Sequence, residues 1–380
     1  MTDGPLPAMT AFSPNRPYLP AVDHIRVFAA LLVVVYHSLL SFGLRQGGGT
    51  GDLFSNWPHT DNPLLAMLVE GHTGVGGFMV LSGFIFMQGT VGRDVNAGAF
   101  LRNRVLRIYP LYLTLLVFGA CVHRADFALL PFLQSVVPLA NFNGAADYGA
   151  FTPLSWAVAV EFQFYLLFPL LLRLLQTHGA GLFLRLILFL ILLRAAAVLP
   201  GSNVVDLTYA TIAGRLDEFL IGMLAGAWLA RRADGGAAAG PWLIAALPLL
   251  IGVIFLFHRA GGWPAHGLWK IVWPDIEGLA WAGFILTWLG AARWLPGLLS
   301  RALAAVGRTS YSIYLLHIMV VGMLRNYLPQ LASSSTRTTL LVIGLVVIPL
   351  VLAVAAFVYV TIEKPFMALR KRYTGAPIPT

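Results

Sequence analysis

The sequence predicts an all-α polytopic membrane protein: about ten transmembrane helices around a polar central cavity, with both termini cytoplasmic. Three observations carry this reading. Of the 380 residues, 58% are hydrophobic and only 11% charged, whereas soluble domains are about one quarter charged. Apolar runs of about 20 residues recur along the chain, the length that crosses ~30 Å of hydrocarbon. Most Lys and Arg, from Arg16 and Arg26 through Arg93, Arg102, Arg104 and Arg107 to Lys364, Arg370, Lys371 and Arg372, fall on one side of the resulting topology. That asymmetry places the basic side in the cytoplasm and favours an even number of spans.

The spans follow in order. The first, 22–44, is the apolar run after Asp23 and Arg26; the second, 63–90, is rich in small residues. The third, 105–121, follows "FLRNRVLRIYP", and the fourth, 153–175, contains "WAVAVEFQFY". The fifth, 184–199, opens on "LRLILFLILLR", and the sixth, 211–230, carries Arg215 and Glu218. The seventh and eighth are 241–258 and 270–290. The ninth, 306–325, contains "SYSIYLLH", and the tenth, 338–362, holds "LLVIGLVVIPLVLAVAAFVYV". Gly/Pro/Asn-rich stretches such as "RQGGGTGDLFSNWPHTDNP" and "RADGGAAAGP" separate them. The chain thus divides into a polar segment 1–21, a transmembrane domain 22–366 and a basic tail 367–380.

Composition also excludes some classes. The single cysteine, Cys121, rules out an internal disulfide framework and a CxxC metal site, and no metal is expected. The Pro-rich N-terminus lacks a basic n-region and does not read as a cleavable signal peptide. The net charge of +9 is mainly topological, so nucleic acid is not an expected partner; the lipid bilayer is. No repeat relates the two halves, which disfavours an inverted-repeat transporter.

Ionisable groups inside spans are functional candidates by default. Arg26 and His37 are eleven residues apart, three turns plus about 20°, so they share a helix face ~16 Å apart along the axis. Arg26 reads as a snorkelling anchor or a site residue, with Asp23 three positions earlier as its partner. His37 reads as a helix–helix hydrogen bonder or a base. His72, Glu161, Glu218, Glu277 and His317 reach a similar level on other helices, which suggests a shared polar cavity. Glu218 and Glu277 could instead pair with Arg215 and Lys270 as structural ties. Glu161 has no basic neighbour in sequence, which makes His37 its expected partner. On the cytoplasmic side, Arg104 and Arg107 share a face; guanidinium forks suit phosphate oxygens, and lipid anchoring is the alternative. Gly76, Gly77, Ser82 and Gly83 suit close helix packing, or a channel for a thin ligand arm.

Taken together, these motifs resemble the integral-membrane acyltransferase-3 family of bacterial O-acyltransferases, of the stand-alone type without an appended hydrolase-like domain. The first-helix pattern is met by Asp23, Arg26 and His37. The element "FMVLSGF" spans Phe78 to Phe84. The R-x-x-R-I-Y-P element is met by Arg104, Arg107, Ile108, Tyr109 and Pro110. Trp156, Glu161, Phe164 and Tyr165 match a fourth element, and Arg215, Glu218, Phe219 and Gly222 a fifth. Ser310, Tyr311, Tyr314 and His317, then Glu363 and Pro365, complete the series. Ala157 and Ala159 depart from it, standing where the family usually carries serines.

The resemblance implies an enzyme of the bacterial cytoplasmic (inner) membrane. It would move a short acyl group, acetyl above all, from cytoplasmic acyl-CoA to a hydroxyl of a sugar, polysaccharide or glycosylated metabolite. Acyl-CoA enters as co-substrate, with no bound cofactor. Arg104 and Arg107, helped by Arg26 and Arg102, would hold the phosphates. His37 would be general base, with Glu161 orienting its ring. Asp23, Ser82, Tyr165, Arg215, Glu218, Tyr311, Tyr314 and His317 would support the site or face the acceptor, with Tyr311, Tyr314 or a backbone amide as candidate oxyanion donors. The acyl group could pass directly or through an acyl-histidine. Two other classes remain: a transporter of a lipid-linked or small anionic substrate using the same groups as a proton relay, and a non-catalytic sensor or scaffold. Oligomeric state is left open.

Overall fold

A computed structural model describes residues 15, 18–42, 57–142, 145–232, 242–333 and 335–377. The chain order is α1 (Pro20–Phe42), α2 (Pro63–Val69), α3 (Thr73–Thr90), β1 (Arg93–Val95), α4 (Ala97–Val122), α5 (Leu129–Val136), α6 (Ser155–His178), α7 (Ala180–Val198), α8 (Val204–Ala210) and α9 (Ile212–Ala230). There follow α10 (Leu243–Arg259), α11 (Trp273–Ala291), α12 (Gly297–Arg308), α13 (Ser310–Tyr327), α14 (Thr336–Val342), α15 (Ile348–Val358), α16 (Lys364–Ala368) and β2 (Thr374–Pro377).

Each apolar segment read from the sequence is helical, but three are not single straight helices. The second is α2 and α3, bent by 78° at Glu70–His72; the ninth follows α12 across a 66° bend. Asn62 starts α2 by accepting the amides of Leu64 and Leu65. The last segment contains two π-helical turns, Ile343–Val347 and Tyr359–Glu363, a distortion that re-aims side chains. Five helices are long and apolar enough to cross a membrane, and up to seven if each bent pair counts as one span. The chain is an all-α membrane protein by this measure. α10 is shorter, and α9 and α11 carry buried charges.

Those charges tie the helices together. Arg194 of α7 is fully buried; it donates to Asp217 of α9 at 2.5 Å, to Asp275 of α11 at 2.8 Å and to the Ile271 carbonyl at 2.7 Å. Helices α3 and α9 meet backbone to backbone. A Cβ on Gly222 would lie 2.0 Å from the Val80 carbonyl oxygen, and one on Gly83 2.2 Å from that of Phe219. Close packing is therefore what these glycines do, and Ser82 beside them faces elsewhere.

The segment after the last helix is docked. β2 pairs antiparallel with β1. Asn103 of α4 donates to the Lys371 carbonyl at 2.6 Å and accepts its amide at 3.0 Å. Asn15 accepts the Tyr373 amide at 2.6 Å.

Candidate active site

Two open chambers meet at a ring of arginines. The inner one, about 820 Å³, is lined by Arg26, Phe78, Ser82, Arg104, Arg107, Ala157, Glu161, Tyr165, Tyr311 and Tyr314 among others. The outer one, about 840 Å³, is lined by Tyr18, Asp23, Arg26, Arg104, Arg107, Arg308, Tyr359, Arg370 and Tyr373 among others. Arg26, Arg104 and Arg107 belong to both. They come together because Arg26 sits nearly two turns into α1, while Arg104 and Arg107 are three apart on α4. Arg102 is exposed and lines neither chamber: two residues before Arg104, it is turned by about 200° to the other face. Arg102, read from the sequence as a helper in phosphate binding, thus stands apart from the other three arginines.

The three arginines differ in their partners. Arg26 donates to Asp23 at 2.7 Å, as its spacing suggests. Arg107 donates to Glu363 at 2.6 Å; the π-turn at Tyr359–Glu363 presents that buried carboxylate, which Ser312 also binds. Arg104 forms no ion pair among the described residues. Its guanidinium lies 4.9 Å from the Phe86 ring centroid and 5.7 Å from that of Tyr165, and its Nε is buried without a partner. Arg104 is thus the cation with most capacity left for an anion.

Glu161 lies in the inner chamber, where it accepts from Ser82 Oγ at 3.0 Å and from the Tyr165 hydroxyl. Its expected hydrogen bond to His37 is not formed. Instead His37 Nδ1 lies 3.0 Å from His317 Nε2 and 3.1 Å from the Val33 carbonyl. His317 Nδ1 lies 2.7 Å from the Tyr314 carbonyl. These contacts fix the tautomers. A carbonyl demands that His317 carry its proton on Nδ1, so its Nε2 is an acceptor. His37 must then be protonated on Nδ1, which leaves the Nε2 lone pair free. The orienting role falls to His317, because α13 packs beside α1 while α6 faces the chamber.

His37 is half-buried and lines neither chamber. Tyr314 bridges the two regions: it lines the inner chamber, and its ring lies 6.1 Å from that of His317. Its buried hydroxyl has no partner among the described residues, whereas the Tyr311 hydroxyl is taken by the Ile108 carbonyl at 2.9 Å. Of the two tyrosines, Tyr314 retains a free donor.

A family model of the acyltransferase domain matches residues 19–360. The chain belongs to this acyltransferase family. Over 95% of its length it is also 26% identical to a curated relative, the acyltransferase MdmB of Streptomyces mycarofaciens, covering 95% of that protein. No solved structure matches the chain. Glu161 takes its hydroxyl donors from Ser82 on α3 and from Tyr165 one turn along α6.

Other candidates lie outside the chambers. Glu218 does pair with Arg215, at 2.6 Å, but Glu277 also goes to Arg215, at 3.3 Å, while Lys270 donates to the Trp263 carbonyl at 2.5 Å. The expected Glu277–Lys270 pair is replaced by one arginine shared between two carboxylates. His72 sits at the bend before α3 and meets Glu70 at 2.9 Å; Glu70 also accepts from Trp57 at 2.7 Å and His258 at 2.8 Å. The Tyr36 ring packs against both His72, at 5.5 Å, and His37, at 4.6 Å. Sequence reasoning missed Glu70, although it ends an apolar run two residues before His72. It also read Arg370 only as a topological charge. Among the described residues, no group of three or more His, Cys, Asp or Glu could hold a metal ion.

Proposed function

We propose that this acyltransferase moves a short acyl group, acetyl above all, from cytoplasmic acyl-CoA to a hydroxyl of a carbohydrate or glycosylated acceptor. The protein sits in a bacterial inner membrane with ten spans and both termini inside. The observation that carries the reading is the ring of Arg26, Arg104 and Arg107 between two chambers. It suits a ligand whose phosphates stay at the ring while a narrow, uncharged arm passes inward. Arg104, without an ion-pair partner, would take a phosphate most readily. Glu161 at the inner end offers carboxylate oxygens to the amide N–H groups of the donor's arm.

His37 Nε2 is the base. The acceptor oxygen bonds to the acyl carbon as its proton passes to Nε2, and the C–S bond breaks. CoA leaves as a thiolate, which needs no strong acid because an ordinary thiol has a pKa near ~8.5, and takes up the proton on release. Tyr314, whose hydroxyl is unpartnered between chamber and histidine pair, donates to the oxyanion. Family membership and a relative named as an acyltransferase favour this chemistry over transport or a purely structural role. The test is transfer of labelled acyl groups from acyl-CoA to acceptor in membranes, with mass spectrometry of surface glycans and secreted metabolites to identify the product. His37→Ala should abolish transfer; undiminished transfer would refute the assignment.

A further inference from the structure

The outer chamber holds more positive charge than a diphosphate alone requires. Beyond the shared ring it adds Arg308, at the end of α12, and Arg370, in the segment after α16. Five arginines line it, with Asp23 as the one carboxylate among its lining residues. Arg370 is fixed from several directions. Its Nε donates to the Met367 carbonyl at 3.0 Å. The next residue is clamped through its backbone by Asn103, and Tyr373 packs its ring 5.3 Å from Phe100. Burial and the nearby Arg107 and Arg104 push the Arg370 guanidinium down to about 10. An anion seated in the chamber among these guanidiniums would be attracted by all of them. A basic tail that served only topology would need none of this docking.

The order of charges along the passage is informative. From the inside outward it runs through Glu161 and Tyr314, then the ring of Arg26, Arg104 and Arg107, then Arg308 and Arg370. An acyl-CoA entering thioester first presents an uncharged arm, then a diphosphate, then a 3′-phosphate on its ribose. We propose that Arg370, carried on the docked C-terminal segment, acts with Arg308 to bind the ribose 3′-phosphate, and so selects CoA over donors lacking that group. This rests on the acyl-CoA reading above. Asn103 is a positioning residue: it holds the backbone next to Arg370 and does not itself touch the ligand.

Equilibrium binding of CoA and of dephospho-CoA to the full-length protein in lipid nanodiscs tests this. The wild-type protein should prefer CoA by about tenfold or more, as expected for charge-assisted hydrogen bonds. Arg370→Gln should bring that ratio close to one while leaving dephospho-CoA affinity unchanged. Asn103→Ala should reduce the ratio in the same way. The proposal is overturned if wild-type protein binds both ligands equally, or if Arg370→Gln weakens both alike. The wild-type comparison needs no variant, so it stands whether or not a substituted chain folds. If neither ligand binds while acyl transfer from another donor proceeds, the acyl-CoA reading itself is what fails.

Discussion

Replacing His317 separates an orienting role from a catalytic one. In the structure His37 Nδ1–H has two acceptors, His317 Nε2 at 3.0 Å and the Val33 carbonyl at 3.1 Å. His317→Ala removes one and leaves the other, so the reactive tautomer survives with less support. One hydrogen bond contributes about 1–1.5 kcal/mol, which corresponds to roughly tenfold in rate. His37→Ala removes the base, for an expected loss of about 10²–10⁴-fold. His317→Gln can place an amide oxygen near the lost Nε2 and should retain activity within about threefold of wild type. The assay is kcat for acyl transfer by detergent-purified protein, with size-exclusion profiles to establish folding. The decisive comparison is the double variant. If His317 acts only through His37, the double variant is no slower than His37→Ala alone. A further tenfold loss in the double variant, or equal activity of His317→Ala and His317→Gln, would refute the tautomer argument.

Other consequences follow from the same geometry. Arg104→Gln should raise KM for acyl-CoA by about 10–100-fold, the effect of losing a charged phosphate contact, whereas Arg102→Gln should stay within about twofold because that side chain faces solvent or lipid; steady-state kinetics distinguish them. Gly222→Ala drives a methyl group into the Val80 carbonyl, so α3 and α9 must separate. A loss of about 1–3 kcal/mol is expected for such overpacking, read as a lower Tm in detergent. Arg194→Met leaves Asp217 and Asp275 buried without their cation. That should cost about 3–5 kcal/mol and lower membrane accumulation, with Asp217→Asn in the same chain restoring part of it.

The helices themselves were legible because lipid imposes a simple local rule: a long apolar run must satisfy its backbone internally. Individual alignments were legible for the same reason. Arg26 with Asp23, and Arg104 with Arg107, are neighbours by helical period alone. Partners on different helices were not. Glu161 looked like the natural companion of His37, yet it faces Ser82 and Tyr165 while His317 takes the histidine. Lys270 looked available to Glu277, yet it turns to Trp263. Bends within apolar segments, at Glu70–His72 and before Ser310, also left no signature in periodicity.

The sequence by itself determined that this chain is helical, membrane-embedded and a member of an acyltransferase family, because composition, run length and motif order need no knowledge of contacts. Only the tertiary structure decided which nitrogen of His37 is free, which arginine keeps unspent donors, and that Arg370 and Tyr373 line a charged chamber. The reason is geometric. Helical period fixes the direction of a side chain on its own helix, but a hydrogen bond between helices depends on their relative rotation and depth, which packing of the whole bundle sets.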